Sequence, residues 1–149
     1  MQFLNKVMTV VIGMALAVAL MPDAASAKTT SESMVVRGFD SLAFSPAKPG
    51  EPQLAPVRGI PEKQGSSIVM KMGKGAFPMH THTANYELVV VKGTMKHWGV
   101  DSSREKALPL GPGSYWYQPA GEPHADSCES DECVWFIRLD GARDFAIHP

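Results

Sequence analysis

From Ser66 to Leu139 the sequence alternates between short runs of β-branched or aromatic residues and turns that contain glycine, proline or acidic side chains. The runs recur about every eight to twelve residues, a spacing typical of strands in sandwiches and barrels. No window of helical length in this region has a clean apolar period of about 3.6 residues. The pattern predicts an all-β domain with strands in SSIVMKM, FPMHTH, YELVVVK, TMKHWGV, SYWYQP, HADSC and ECVWFIRL.

Residues 28–65 differ from this region in composition. Prolines are dense between Gly38 and Gly65, and a helix does not tolerate prolines at such short intervals. We predict an N-terminal arm over residues 28–65, extended or in edge strands, with one short strand in SMVVRG (residues 33–38). The predicted barrel follows at residues 66–149.

The N-terminus has the layout of an export signal. Lys6 precedes an uninterrupted apolar run, Val7 to Leu20, and the sequence ASA at residues 25–27 offers small side chains for cleavage. A membrane anchor is the alternative, but this run is shorter than the roughly 20 residues that a spanning helix needs. We predict a signal peptide over residues 1–27 and a periplasmic or secreted protein that has no membrane attachment after cleavage.

The formal net charge of the 149-residue chain is −1. Proteins that bind nucleic acid or anionic membranes present a basic face. The charge balance therefore argues against both partners, and we expect the partner to be a small molecule.

Two histidines and an acid stand where a strand would be expected to bury valine. His80 and His82 point to the same face because side chains alternate along a strand. Glu87 starts the next run, and its face-mates Val89 and Val91 are apolar, so we predict that Glu87 faces the core. A buried, unpaired carboxylate costs several kcal/mol. A divalent cation held by these side chains removes that cost, which predicts a metal site.

This segment and a later one resemble the paired motifs of the cupin superfamily. The first motif, glycine followed by His-x-His, three or four residues, glutamate and a glycine, matches Gly75, His80, His82, Glu87 and Gly93. The second, G-x5-P-x-G-x2-H-x3-N, matches Gly113, Pro119, Gly121 and His124, with Cys128 in place of asparagine. The glycine spacings that flank the first motif are one residue shorter than usual.

The resemblance implies a small RmlC-like jelly-roll barrel, a double-stranded β-helix that closes over one metal. It also implies a ligand set of His80, His82, Glu87 and His124, with coordination positions left for water or substrate. Nitrogen and carboxylate ligands suit Fe, Mn, Ni, Cu or Zn, and the sequence does not choose among these metals.

Cys128 and Cys133 flank the acidic sequence ESDE. If they end a hairpin, they face each other, and an oxidising compartment would allow a disulfide. The alternative is a free thiol at Cys128, on the same strand face as His124. Trp135, Ile137 and Leu139 are predicted to face inward and Arg138 outward. Candidate residues for the pocket wall are Met79, Met95, His97 and Gln118.

Cupin folds have many functions, so the fold alone does not choose one. We favour a metal-dependent, oxygenase-like enzyme that acts on a small oxygenated or carbonyl compound. The alternative is a module that binds or senses a metal or small ligand without turnover. We assign no separate general base, because no further histidine or acid is clearly inward. A homodimer is expected, since resembling barrels often pair their edge strands.

Overall fold

Eight β-strands and one 3-10 turn form the regular structure of residues 33–149, the part of the chain that the computed structural model describes. The turn is Phe39–Ser41, and the strands are β1 (Gln53–Arg58), β2 (Ser66–Ala76), β3 (His80–Thr81), β4 (Tyr86–Lys92), β5 (Met95–Gly99), β6 (Tyr115–Gln118), β7 (His124–Leu139) and β8 (Ala146–Ile147). No α-helix occurs among these residues, which confirms the all-β prediction.

The described residues contain no helix long and apolar enough to cross a membrane. The predicted signal peptide, residues 1–27, and the polar residues that follow it up to Glu32 lie outside them.

Strand β7 is the centre of the sheet. Along its C-terminal half the order of strands is β1-β2-β7-β4-β6, and along its N-terminal half β7 pairs with β5 on one side and with β3 on the other. All of these pairings are antiparallel. The arrangement places the start of β7 next to the histidines of the first motif.

The hydrophobic core lies on the inner face of β2, β4 and β7. Ile68 of β2 and Leu88 of β4 both pair with Ile137, and all three side chains are buried. Trp135 and Leu139 are buried on the same face while Arg138 is exposed, as predicted. Each fully buried side chain of this size contributes roughly 1.5–3 kcal/mol to folding, so this end of the sheet supplies most of the apolar stabilisation.

A bulge divides β7 into two halves. Gly73 pairs with Glu132 and Gly75 with Cys128, so residues 129–131 stand opposite a single residue of β2. Cys128 and Cys133 close the neck of this bulge with a disulfide, at a Cα–Cα distance of 5.8 Å. The predicted disulfide is confirmed, but its setting is a bulge within one strand, because β2 continues alongside both halves.

Gly93 lies beside this bulge, in the connection between β4 and β5. Its φ is 80°, and a Cβ at this position would overlap the backbone oxygen of Glu132. Only glycine combines this backbone angle with so close an approach, so Gly93 allows β4 and β5 to follow β7 past its bulge.

Two sequence predictions about strands are wrong. Residues 33–38 form no strand, and Met34 and Val36 are highly exposed, because no strand of the described residues covers this apolar pair. The two strands predicted on either side of ESDE are one strand, β7. Within the predicted arm, β1 pairs along β2 and so extends the main sheet.

Candidate metal centre

The imidazoles of His80, His82 and His124 lie together at the N-terminal end of β7. His124 is the first residue of β7 and pairs directly with His80 of β3. The ring centroids of His80 and His124 are 4.2 Å apart, and one ring nitrogen from each of the three lies within 4.8 Å of the others. Nitrogens that share one metal at bonds of about 2.1 Å lie roughly 3–4 Å apart, so small rotations would bring these three onto one cation.

Backbone carbonyls hold each of the three rings. The Nδ1 atoms of His80, His82 and His124 lie 2.7, 2.6 and 3.0 Å from the carbonyl oxygens of Pro78, Asp144 and Glu122. A carbonyl can only accept, so each ring carries its proton on Nδ1. All three Nε2 atoms therefore keep the lone pair that a metal requires.

Burial keeps the three rings neutral. It is the largest cause of the lowered pKa of His80, His82 and His124, and the neighbouring imidazoles lower these pKa values further. The hydrogen bonds to backbone carbonyls raise the pKa of each ring but do not outweigh burial. Neutral imidazole is the form that binds a metal, so this environment favours an ion over protons.

The structure does not bring Glu87 to this cluster. Glu87 is exposed on the outer face of β4, where it pairs with Tyr117 and Arg138, and the prediction that it faces the core is wrong. The physical reason is that both faces of β4 are apolar in sequence, so alternation could not choose between them. Val89 and Val91 are on the exposed face with Glu87.

Tyr86 takes the inward position beside the histidines. Its hydroxyl donates a hydrogen bond of 3.0 Å to His124 Nε2 and accepts one of 3.4 Å from Trp116 Nε1. Burial raises the pKa of Tyr86 well above its usual value, so the phenol keeps its proton at neutral pH. Tyr86 was not among the predicted site residues, although three residues separate it from His82, the shorter of the two spacings that the first motif allows.

Asp126 is a buried acid beside the histidines. Its Oδ2 lies 3.9 Å from both His80 Nε2 and His124 Nε2, and its Oδ1 lies 2.6 Å from His97 Nδ1. The other nitrogen of His97 faces Gln118 Oε1 at 3.1 Å. The conclusion that no further acid is inward is wrong, and the missed signal was parity, since Asp126 is two residues after His124 on the same face.

The C-terminal segment completes the centre. Besides the carbonyl that holds His82, Asp144 accepts a hydrogen bond of 3.0 Å from the backbone N–H of Thr83. The ring of Phe145 stacks on His80, with centroids 4.3 Å apart and an interplanar angle of 22°. Nothing in the local sequence marks these residues, because their partners are about sixty positions away.

A cavity of about 440 Å³ opens beside the cluster. His80, His82, Tyr86 and Asp126 line it, together with apolar side chains from the core strands. Of the four residues predicted for its wall, Met95 lines the cavity, whereas His97 and Gln118 lie behind Asp126. Met79 is not part of the wall; its backbone oxygen accepts a hydrogen bond from His148.

Comparison with known proteins places this chain in a family. Residues 32–142 match the family model described as the ChrR cupin-like domain. The chain belongs to the ChrR cupin-like family. The cupin superfamily predicted from the two motifs, and its jelly-roll fold, are thereby confirmed.

Solved cupin structures resemble this cupin in fold. The polyketide cyclase RemF from Streptomyces resistomycificus gives a TM-score of 0.60 at 19% identity, over 77% of this chain and 85% of the cyclase. An RmlC-like cupin from Shewanella frigidimarina gives 0.59 at 15% identity, over 75% of this chain and 95% of that one. Identities this low show a shared fold and no more.

One curated relative resembles this cupin in sequence. The DNA damage-repair/toleration protein DRT102 of Arabidopsis thaliana is 35% identical over 85 residues, or 57% of this chain. The match spans 26% of that protein. The likeness is therefore confined to one part of a much longer relative.

Within this cupin, Tyr86 stands in the place of the motif glutamate. If position 86 rather than 87 is counted as the acid position of the motif, one more residue separates it from Gly93. The spacing between the acid position and this glycine then has its usual length. The donor set of this cluster is then three imidazole nitrogens, a phenol and the carboxylate of Asp126. Both cysteines are in the disulfide. This set of nitrogen and oxygen donors fits a divalent transition metal, and the binding of one stays a prediction.

Proposed function

We propose that the protein is a metal-dependent enzyme whose divalent transition metal is held by His80, His82 and His124, and whose substrate is a small oxygenated compound in the adjacent cavity. The observation that carries this proposal is the set of three hydrogen bonds from Nδ1 atoms to backbone carbonyls. They leave Nε2 of each ring unprotonated, in three imidazoles that lie together beside an open cavity. A closed structural site would not need such a cavity.

A bound metal would supply Lewis-acid polarisation of a substrate oxygen. Tyr86 and Asp126 are the groups that can move a proton beside it. The buried phenol keeps its proton at neutral pH and can pass it only to a strongly basic oxygen, such as that of an enolate. Oδ2 of Asp126 receives no hydrogen bond from a described residue, and the side chain lines the cavity, so this oxygen can accept a proton from substrate.

These two residues favour proton transfer over the oxygenase-like chemistry that the sequence predicts. Oxygen activation needs open metal positions but no acid–base pair, whereas proton transfer next to a carbonyl needs both an acceptor and a donor. In such a step the C–H proton passes to Asp126, the electron pair of that bond shifts toward the carbonyl, and Tyr86 protonates the carbonyl oxygen. Oxygenase chemistry remains the competing outcome of the test.

A second candidate function is a module that binds a metal or small ligand without turnover. One observation favours it: the Tyr86 hydroxyl already satisfies His124 Nε2, so this buried nitrogen has a partner without an ion.

We also propose that the protein works in the periplasm or outside the cell, since the disulfide suits an oxidising compartment. A homodimer stays a prediction.

Metal analysis tests the site directly. Elemental analysis of protein purified without chelator or affinity nickel should show near-stoichiometric metal, and His82→Ala should weaken metal binding by at least about 100-fold, more than loss of a supporting residue would. Glu87→Gln is the matched control. Because Glu87 faces solvent, this variant should keep its metal. A wild type that stays metal-free with Fe, Mn, Ni, Cu and Zn would overturn the proposal.

Turnover separates the enzyme from the binding module. Protein loaded with each metal would be incubated in D2O with a panel of small 2-oxo acids, and exchange of the C–H protons next to the carbonyl followed by NMR. We expect metal-dependent exchange that Tyr86→Phe slows without loss of metal. Oxygen consumption instead of exchange would indicate an oxygenase. A rise in melting temperature with ligand and no turnover would indicate the module.

A further inference from the structure

The cavity beside the histidines has one charged side chain with no hydrogen-bonding or ionic partner among the described residues. Its wall carries three formally charged side chains, Glu51, Asp126 and Arg143, among apolar ones. Glu51 pairs with Lys48 at 3.4 Å, and Asp126 is hydrogen-bonded to His97 at 2.6 Å. The guanidinium of Arg143 makes no hydrogen bond or ion pair with any residue from 33 to 149. The charged side chain in this wall that lacks a partner among these residues is therefore a cation.

A hydrogen bond fixes the backbone of Arg143, although its side chain has no partner among residues 33–149. The Arg143 N–H donates a hydrogen bond of 2.6 Å to the carbonyl of Pro61. The next two residues are fixed as well, Asp144 through Thr83 and His82, and Phe145 through its stacking on His80. Because Arg143 is half-buried on an ordered backbone, binding a ligand restricts its side chain but does not have to order the backbone.

The other side chains of the cavity wall indicate the chemical character of the rest of the ligand. Leu54, Met70, Leu88, Ile137 and Leu139 contribute aliphatic surface, and Phe77 and Trp135 contribute aromatic surface. A volume of about 440 Å³ is within the range of small-molecule sites. An apolar body with one anionic group matches this wall, because the body covers the apolar side chains and the anion pairs with the guanidinium.

We propose that Arg143 binds the carboxylate of the substrate, and that the substrate class is small organic acids with an aromatic or branched aliphatic body. The planar guanidinium presents two parallel N–H donors, which match the two oxygens of a carboxylate. The assignment of the ligand as substrate rests on the proposed function. Carboxylate binding by Arg143 does not require the metal, because Arg143 is not one of the residues proposed to hold it.

Calorimetric titration of metal-free protein with phenylacetate and with phenylacetamide tests this assignment. The two probes have the same shape and differ in charge. We expect wild type to bind the acid more tightly than the amide by about tenfold or more, the usual effect of a hydrogen-bonded ion pair. Arg143→Gln should remove this preference, and Arg143→Lys should retain part of it because the charge stays but the paired donors are lost.

Arg138→Gln is the matched control, since Arg138 is exposed on the outer face of β7 beside Asp140 and should leave the preference unchanged. The proposal is overturned if wild type binds both probes equally or binds neither. It is also overturned if Arg143→Gln keeps the preference for the acid. Neither result depends on metal content, so failure here is distinct from failure of the metal site in the His82→Ala measurement.

Discussion

The two halves of β7 show how one strand can serve stability at one end and chemistry at the other. From Cys133 to Leu139 buried apolar side chains dominate the inner face, and from His124 to Cys128 every residue is buried although three of the five are polar or charged. The core half, Cys133 to Leu139, gains free energy from apolar burial. The site half, His124 to Cys128, keeps its polar groups buried by pairing them with a carbonyl, a histidine and a neighbouring carboxylate. Stability and chemistry should therefore respond to different substitutions.

The largest expected effect comes from a substitution in the core half alone, which tests whether the two halves respond independently. Ile68 is fully buried, pairs with Ile137 and is not part of the cavity wall. Ile68→Ala should lower the free energy of unfolding by about 2–5 kcal/mol, since it leaves a cavity between packed strands. Urea unfolding measures this loss. Metal content of the folded variant should be unchanged, and a simultaneous loss of metal would show that the two halves are coupled.

The disulfide lies where the two halves of β7 meet. Its removal tests which of the two halves depends on it. The double variant Cys128→Ser, Cys133→Ser should lose about 2 kcal/mol of stability, because so short a loop removes little entropy from the unfolded chain. Denaturant titration of oxidised and reduced wild type provides the check. A serine variant that loses metal while its stability drops by no more than this amount would assign the disulfide to the site half.

A dependence of stability on pH belongs to the site half alone. The pKa values of His80, His82 and His124 are lowered on folding, so the unfolded state takes up protons at a higher pH than the native state does. Stability of the metal-free protein is fully present above about pH 6.5 and falls as pH drops through the lowered pKa values, by at most about 1.4 kcal/mol per pH unit for each ring.

Urea unfolding of metal-free protein between neutral pH and about pH 5 measures this slope. His124→Gln should reduce the slope, because one of the three titrating rings is gone. Ile68→Ala should keep the wild-type slope at a lower overall stability. Equal slopes in wild type and His124→Gln would mean that the three rings are not the groups responsible.

The sequence predicted the core half of β7 well and the site half incompletely. Alternation placed Trp135, Ile137 and Leu139 inward because only one face of that half is consistently apolar. In β4 both faces are apolar, and the choice of Glu87 over Tyr86 followed from a motif that permits two spacings. Alternation would have found Asp126 had it been carried two residues beyond His124.

Long-range contacts were beyond the reach of sequence pattern. Asp144 contacts His82 and Thr83, about sixty residues earlier in the chain, and Phe145 stacks on His80. Such contacts depend on how β7 returns to the start of the barrel, which local periodicity does not encode. The continuity of β7 was missed for a related reason, because the acidic sequence ESDE favours a turn unless a neighbouring strand continues past it.

The carbonyl of Asp144 that holds the His82 ring has a consequence for the order of assembly. A ribosome makes residue 144 after all of β7, so a growing chain contains every imidazole of the cluster well before it contains the group that orients His82. Until then the His82 ring lacks the hydrogen bond that places its proton on Nδ1. The geometry described for the finished protein is thus set only when synthesis has passed the last long strand.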